Sequence, residues 1–354
     1  MKRELDTKFD HDRIFSFANI LVSVGIILVT SGGSWDISNH ILNKPETFFS
    51  PPHAILYSGV GVTLVGFIAL FVSGKKSGLV QEFGRGIKII TGGIVLLLSA
   101  GPIDFAWHSR FGLDGLLSPP HLALICGMAL TSIGALVNTK SLSAKLEKPN
   151  RIAIILAMIP VWLSITGLLH SFSLPFSKTD YFDFNPDPVF GAVFASVAYP
   201  FLISTVLVLS SILSKNRFGV SSIVGMSYLL IMTLTAIIPN HVLIPTIPFF
   251  AINIIPILLG DFVLSRPNLS HRIRLAGAVT GSAFYFMYYP LITYTYNEVT
   301  VHKLMWPSLT PIIYFEMVPI VVPILIVCGA VSGVFGAEFA KKISSQDFSK
   351  FSNK

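Results

Sequence analysis

The sequence predicts an all-α protein, a single membrane domain built as a polytopic bundle of about ten transmembrane helices. Hydrophobic residues make up 52% of the 354 residues and charged residues only 12%, with a mean hydropathy of +0.71. A soluble domain usually carries about 25% charged residues. Stretches long enough to cross a bilayer, about 20 apolar residues each, recur along the chain, at 14–38, 51–73, 86–108, 118–139, 152–172, 189–213, 218–238, 241–264, 272–296 and 311–338.

The basic residues predict the orientation of these spans. With ten spans, both termini lie on one side of the membrane, and that side holds 21 of the 25 Lys and Arg. Because Lys and Arg accumulate in cytoplasmic loops, we expect a multi-pass cell-membrane protein with cytoplasmic N- and C-termini. The net charge of +7 is therefore interpreted as a topology signal, and the lipid bilayer rather than nucleic acid is the expected partner.

Two features qualify the packing of the later spans. The break at Pro239, Asn240 and His241 is compatible with either a tight turn or a re-entrant segment. Small residues suit close helix packing, and the candidates are Gly59, Gly61, Gly93, Gly277 and Gly281.

A polar pattern occurs twice near the N-terminus, with an offset of 68 residues. The pairs are Asp36 with Asp104, His40 with His108, Glu46 with Asp114, Ser50 with Ser118 and His53 with His121. Self-similarity at a fixed offset indicates a structural repeat. The sequence therefore predicts two repeated N-terminal helical hairpins, about 33–73 and 101–139, in a duplicated region 1–139, followed by a further membrane-helix bundle over 140–354.

The spacing within each copy predicts a metal site. An Asp and a His at i and i+4 share one helix face. Ser followed by two Pro starts the next helix, which puts the second His in its first turn. We therefore expect one Asp-His-His site per hairpin on the outer side; the ligands are Asp36, His40 and His53 in the first copy and Asp104, His108 and His121 in the second. The alternative is a pair of Asp–His hydrogen bonds that join the helices.

The two motifs, within residues 33–59 and 101–127, resemble the metal site of the C subunit of the copper membrane monooxygenases, the particulate methane and ammonia monooxygenases. The second copy also has Trp107 directly before its first His. The resemblance implies copper as the metal and oxidation of a small apolar or gaseous substrate. It also implies other membrane subunits, or a soluble copper or redox protein on the outer side, as partners.

Several alternatives stay open at this point. Two His and one carboxylate also suit non-haem iron, and zinc is a further option. The chain is interpreted as a copper-dependent or iron-dependent monooxygenase, or a subunit of one, or else as a metal-ion transporter or metal-handling protein without catalysis. Asp261 is the main polar candidate for a deeper transport path. No catalytic residue is assigned.

The other polar residues of the outer side are interpreted as interfacial or solvated. His170, His241, His302 and Glu316 are candidates for completing the sites. The acids Asp180, Asp183 and Asp187 are expected in solvent, and Tyr181 in an interfacial aromatic belt.

Overall fold

A computed structural model describes residues 2–41, 47–79, 83–112, 114–145, 149–173, 181–239, 241, 244, 247–287 and 321–346. In these ranges the regular secondary structure is helical throughout, which confirms the predicted all-α class. The helices are α1 (Lys2–Ile41), α2 (Pro51–Ser77), α3 (Gly84–Phe111), α4 (Pro119–Lys145), α5 (Arg151–Ser173), α6 (Pro188–Leu213), α7 (Val220–Ile237), α8 (Ile247–Ile252), α9 (Ile254–Leu264), α10 (Arg272–Met287) and α11 (Val321–Ser345).

Eight of the described helices are long and apolar enough to cross a membrane, as expected for a membrane-type helical bundle. The expected span 241–264 instead contains the two short helices α8 and α9. Pro248 and Pro256 lie in the first turns of these two helices, where proline is tolerated, so they begin new helices rather than kink a continuous one. The expected spans 272–296 and 311–338 extend outside the described residues, and the number ten stays a prediction.

The helix pairs α1–α2 and α3–α4 pack through equivalent close backbone contacts. A Cβ added to Gly25 would lie 2.6 Å from the Thr63 nitrogen, and one added to Gly93 would lie 2.6 Å from the Thr131 nitrogen. The same offset of 68 relates two further pairs of contacts, Gly59 to Val29 with Gly127 to Leu97, and Gly66 to Val22 with Gly134 to Ile90. The two pairs therefore meet at the same depth and in the same register.

The interior helices of this half are α1 and α4, and polar side chains join them. The Nδ2 of Asn19 donates to the Ala135 carbonyl oxygen at 3.1 Å, and the Nδ2 of Asn138 donates to Asn19 Oδ1 at 3.1 Å. The outer faces of α2 and α3 carry exposed apolar side chains, among them Ile68 and Val95. Such faces suit contact with lipid.

Of the small residues singled out in the sequence, Gly59, Gly93, Gly277 and Gly281 do lie at close helix contacts. The prediction for Gly61 is wrong, because a Cβ at this position would meet open space. Gly61 lies two positions from Gly59, which rotates it away from the face of α2 that packs on α1.

Asp261 joins α9 to the start of α7. It is fully buried, and its Oδ2 accepts hydrogen bonds from the Gly219 nitrogen (2.9 Å), the Ser222 nitrogen (2.9 Å) and the Ser222 hydroxyl (2.6 Å). An anion at the N-terminus of a helix is favoured by the unpaired N–H groups there. Asp261 therefore has a structural role, as the cap of α7.

We expect Asp261→Ala to lower the free energy of unfolding by about 3 kcal/mol, because it leaves several buried donors without an acceptor. The matched change is Asp187→Ala, which removes an exposed cap that accepts from the Phe190 nitrogen at 2.9 Å in α6; its expected cost is about 1 kcal/mol. Unfolding in mild detergent, followed by circular dichroism, measures both. Equal losses would contradict the role of the buried cap.

Candidate metal centre

The second hairpin brings its three predicted ligands to one point. Asp104 and His108 lie one turn apart at the end of α3, and His121 lies in the first turn of α4. Ser118 precedes Pro119 and Pro120, and its carbonyl oxygen accepts the first helical hydrogen bond, from the Leu122 nitrogen at 3.0 Å. The local start signal thus places His121 opposite the end of α3.

Three donor atoms form a nearly equilateral triangle. The two Nε2 atoms of His108 and His121 are 3.2 Å apart, and Asp104 Oδ1 lies 3.5 Å from each. Within the described residues this is the one group of three or more candidate ligands that could hold an ion. The structure therefore brings together all three residues that the sequence assigned to this copy.

The orientation of both rings leaves their Nε2 lone pairs facing the triangle. His108 Nδ1 lies 2.8 Å from the Gly112 carbonyl oxygen, and His121 Nδ1 lies 3.2 Å from the Gly115 carbonyl oxygen and 2.9 Å from Ser118 Oγ. A carbonyl oxygen only accepts, so Nδ1 of each ring carries the hydrogen and donates it. In the neutral rings Nε2 is then unprotonated, which is the form that binds a metal.

The conformation of Gly112 contributes to this arrangement. Its φ of 71° lies in the left-handed region, where glycine avoids the steric cost that other residues meet. Its nitrogen donates to the His108 carbonyl oxygen at 3.0 Å, which closes the end of α3, and its own carbonyl oxygen faces the His108 ring. The helix cap and the ring orientation therefore depend on the same residue.

The triangle needs a cation. Asp104 Oδ1 is shielded from solvent and accepts no hydrogen bond from the described residues. Two lone pairs and a carboxylate oxygen within 3.5 Å of one another repel unless a positive charge lies between them. That charge is either a proton or a metal ion.

The size of the triangle fits a metal ion. Ligands that lie 2.0–2.1 Å from a tetrahedral ion are separated by about 3.4 Å, against the observed 3.2 and 3.5 Å. Three protein ligands on a tetrahedral ion leave one coordination position for water or a substrate. The donor set, two imidazoles and one carboxylate, suits copper, iron or zinc.

A buried carboxylate supports His121 from behind. Asp114 is 1% exposed; its Oδ1 lies 3.6 Å from His121 Nδ1, and its Oδ2 accepts a hydrogen bond from Trp107 Nε1 at 2.5 Å. Carboxylates in this position fix the ring orientation and raise the basicity of the metal-binding nitrogen. The sequence paired Asp114 with Glu46, but it gave no signal for this role.

Replacing Asp114 should weaken metal binding without removing a ligand. We expect Asp114→Asn to raise the metal dissociation constant about 10–100-fold, because the negative charge beside the His121 N–H is lost. Asp183→Asn is the matched control: Asp183 Oδ1 is an exposed acceptor for the Asn185 amide at 2.8 Å in a surface loop. Competition titration with a chromogenic chelator measures both, and equal affinities for the two variants would contradict the role of Asp114.

The described part of the first hairpin repeats these contacts. His53 Nε2 lies 3.0 Å from Asp36 Oδ1, and His53 Nδ1 lies 2.9 Å from the Thr47 carbonyl oxygen. Thr47 is the counterpart of Gly115, and His53 is therefore oriented as His121 is. The Nε2 lone pair again faces the carboxylate.

Two predicted residues of the first copy are only partly accessible to this comparison. His40 belongs to α1, one turn after Asp36, but its side chain lies outside the described part of the structure. Glu46, the counterpart of Asp114, also lies outside it. The third ligand of the first site therefore stays a prediction.

An aromatic group lies between the two sites. The rings of Phe48 and Tyr57 are 5.0 Å apart, and Phe48 also contacts Phe105 of α3 at 5.3 Å. Asp36 and Asp104 are close enough to interact electrostatically with each other and with Tyr57. The two sites are thus neighbours at the same end of the bundle, separated by apolar rings.

A distant loop, residues 181–187, covers the turn that precedes α4. The Phe184 carbonyl oxygen accepts a hydrogen bond from the Leu117 nitrogen at 3.2 Å, and the Phe184 ring lies 6.1 Å from Trp107. Asp183 and Asp187 are exposed, as expected, whereas Asp180 lies outside the described residues. The role of this loop had no signal in the sequence, because more than sixty residues separate it from the site.

The remaining histidines lie apart from the triangle. His170 contacts Tyr199, with the ring centroids 6.0 Å apart, and His241 is exposed. Neither belongs to the Asp104, His108 and His121 group. His302 and Glu316 lie outside the described residues.

Comparison with models of protein families, with curated proteins and with solved structures gives no match.

Proposed function

We propose that this chain is a multi-pass membrane protein that binds one metal ion at Asp104, His108 and His121. The observation that carries the proposal is the convergence of two imidazole lone pairs and a carboxylate oxygen at mutual distances of 3.2 and 3.5 Å. A pair of Asp–His hydrogen bonds would need a proton on Nε2, whereas both Nδ1 atoms face carbonyl oxygens.

A second ion binds at Asp36, His40 and His53 in this proposal, and the two hairpins are copies of one unit. Support comes from the matching helix contacts and from the matching His53 and His121 environments, all related by 68 residues. The proposed orientation puts both sites on the outer side and both termini in the cytoplasm, on the strength of the Lys and Arg distribution.

The chemistry that we propose is oxidation of a small apolar or gaseous substrate by a copper-dependent enzyme or one of its subunits. The resemblance of both motifs to the copper membrane monooxygenases supports it, as does the open coordination position that three ligands leave. A bound copper or iron ion would supply the redox centre. The residues of this chain hold the ion, orient the two rings, and place Phe48 and Phe105 as apolar surface beside it.

Metal loading and oxygen uptake test this proposal together. Protein purified in detergent and stripped with a chelator should rebind copper, measured by mass spectrometry of the metal content, and binding should weaken at acidic pH as protons compete for Nε2. Membranes that contain the chain and its partner subunits should then consume oxygen with a small hydrocarbon or ammonia. Rebinding of zinc alone, with no oxygen uptake, would contradict the oxidative chemistry but not the metal site.

Metal transport is the second candidate function. Buried polar side chains follow the interface of α1 and α4 away from the sites, including Asn19, Asn138 and Thr139. Transport paths are lined by polar groups. Uptake of copper or zinc into vesicles separates the candidates: transport predicts accumulation that Asn19→Leu abolishes, whereas the oxidative proposal predicts none.

A further inference from the structure

A large basic cavity lies at the end of the bundle opposite to the metal sites. Its volume is about 760 Å³, and four cationic side chains line it, Arg151, Lys215, Arg217 and Arg266. They come from the start of α5, the α6–α7 loop and the residue pair that follows α9. The cavity is thus formed where three parts of the bundle meet, and it is separate from every residue used above for metal binding.

The charge in this cavity is not neutralised by nearby acids. No acidic side chain is among the residues that line it. Within the described residues Arg151, Arg217 and Arg266 make no ion pair, and the Arg266 guanidinium lies over the Phe262 ring at 4.2 Å from its centroid. Like charges gathered in one cavity repel one another unless an anion lies between them.

The loop that carries two of these cations is held in a defined conformation. Lys215 and Asn216 have φ values of 59° and 56°, and the Asn216 nitrogen donates to the Ser211 carbonyl oxygen at 2.6 Å. The other end of the loop is fixed by Asp261, which accepts from the Gly219 nitrogen. The cations are therefore placed by the fold before any ligand binds.

The surroundings of the cavity are apolar and exposed. Phe218 is 55% exposed and Phe262 46%, and Ile152, next to Arg151, is 67% exposed. In a membrane protein such side chains at the end of a helix bundle lie near the boundary between acyl chains and head groups. Basic pockets between helices at this boundary bind anionic head groups.

We infer that this cavity binds a phosphate group, which Arg151, Arg217 and Arg266 hold while the exposed apolar rim contacts the acyl chains of the lipid that carries it. Planar guanidinium groups match phosphate oxygens with paired hydrogen bonds. The inference does not depend on the metal sites.

The test compares two double variants that remove the same charge. Arg217→Gln/Arg266→Gln changes the cavity, whereas Lys75→Gln/Lys76→Gln removes two exposed cations from the end of α2. Native mass spectrometry of the detergent-purified chain counts bound phosphatidylglycerol against phosphatidylcholine, and calorimetry measures binding of inorganic phosphate. Arg151→Gln is a further single variant, and size-exclusion profiles check that each protein is folded.

The expected result is selective binding of phosphatidylglycerol that is about 30-fold weaker in the Arg217→Gln/Arg266→Gln protein and unchanged in the lysine control. Binding of inorganic phosphate alone, with the same dependence on the arginines, would keep the phosphate site and assign a soluble source. Equal binding of both lipids with no binding of phosphate, or equal losses in both double variants, would overturn the inference.

Discussion

Loss of His121 should remove one metal ion from each chain. In His121→Ala the second site keeps only Asp104 and His108, too few ligands to hold an ion against a chelator, whereas the first site is unchanged. We therefore expect the metal content to fall from about two ions per chain to about one, and to about zero in the His53→Ala/His121→Ala protein. Mass spectrometry of the metal content, after dialysis against a mild chelator, measures it.

His271→Asn is the control for this series. His271 is exposed at the opposite end of the bundle and has a φ of 59°, a conformation that Asn tolerates, so both ions should remain. Loss of both ions from either single variant would replace two separate sites by one shared centre. An unchanged metal content in the double variant would contradict the ligand assignment itself.

The close approach of α3 to α4 should be equally sensitive to a single methyl group. A Cβ at Gly93 would lie 2.6 Å from the Thr131 nitrogen and 2.8 Å from the Gly127 carbonyl oxygen, both backbone atoms that cannot rotate away. We expect Gly93→Ala to lower the free energy of unfolding by about 1–3 kcal/mol. It should also weaken metal binding at the second site, because His121 is carried by α4 and the other two ligands by α3.

The neighbouring glycine provides the matched control. A Cβ at Gly92 would meet open space, and alanine is the better helix former, so Gly92→Ala should stabilise the helix by up to about 1 kcal/mol. Denaturant unfolding and chelator competition measure both variants. If Gly92→Ala and Gly93→Ala gave the same stability and the same metal affinity, the packing of α3 on α4 would not be as described.

Much of the candidate site could be predicted from the sequence because it depends on local rules. The i and i+4 spacing of Asp104 and His108 fixes a shared helix face, and the Ser-Pro-Pro start fixes the turn that carries His121. The repetition at 68 residues added a second test of the same pattern. The structure confirms the convergence of these three side chains.

The parts that the sequence missed depend on contacts between distant residues. The 181–187 loop reaches the site only through the fold, and the support that Asp114 gives His121 depends on how the α3–α4 turn closes. Gly61 was misassigned because composition alone does not say which face of α2 packs on α1. The division of 241–264 into two helices depends on whether each proline begins a helix or bends one.

X-ray absorption at the metal edge of the copper-loaded His53→Ala protein tests the central claim most directly, because only the second site then holds an ion. The account predicts two imidazole nitrogens and at least one oxygen at about 2.0–2.2 Å from the metal, with the outer-shell scattering of two rings. A bound ion without imidazole scattering, or no ion at all in this protein, would contradict a metal centre at Asp104, His108 and His121.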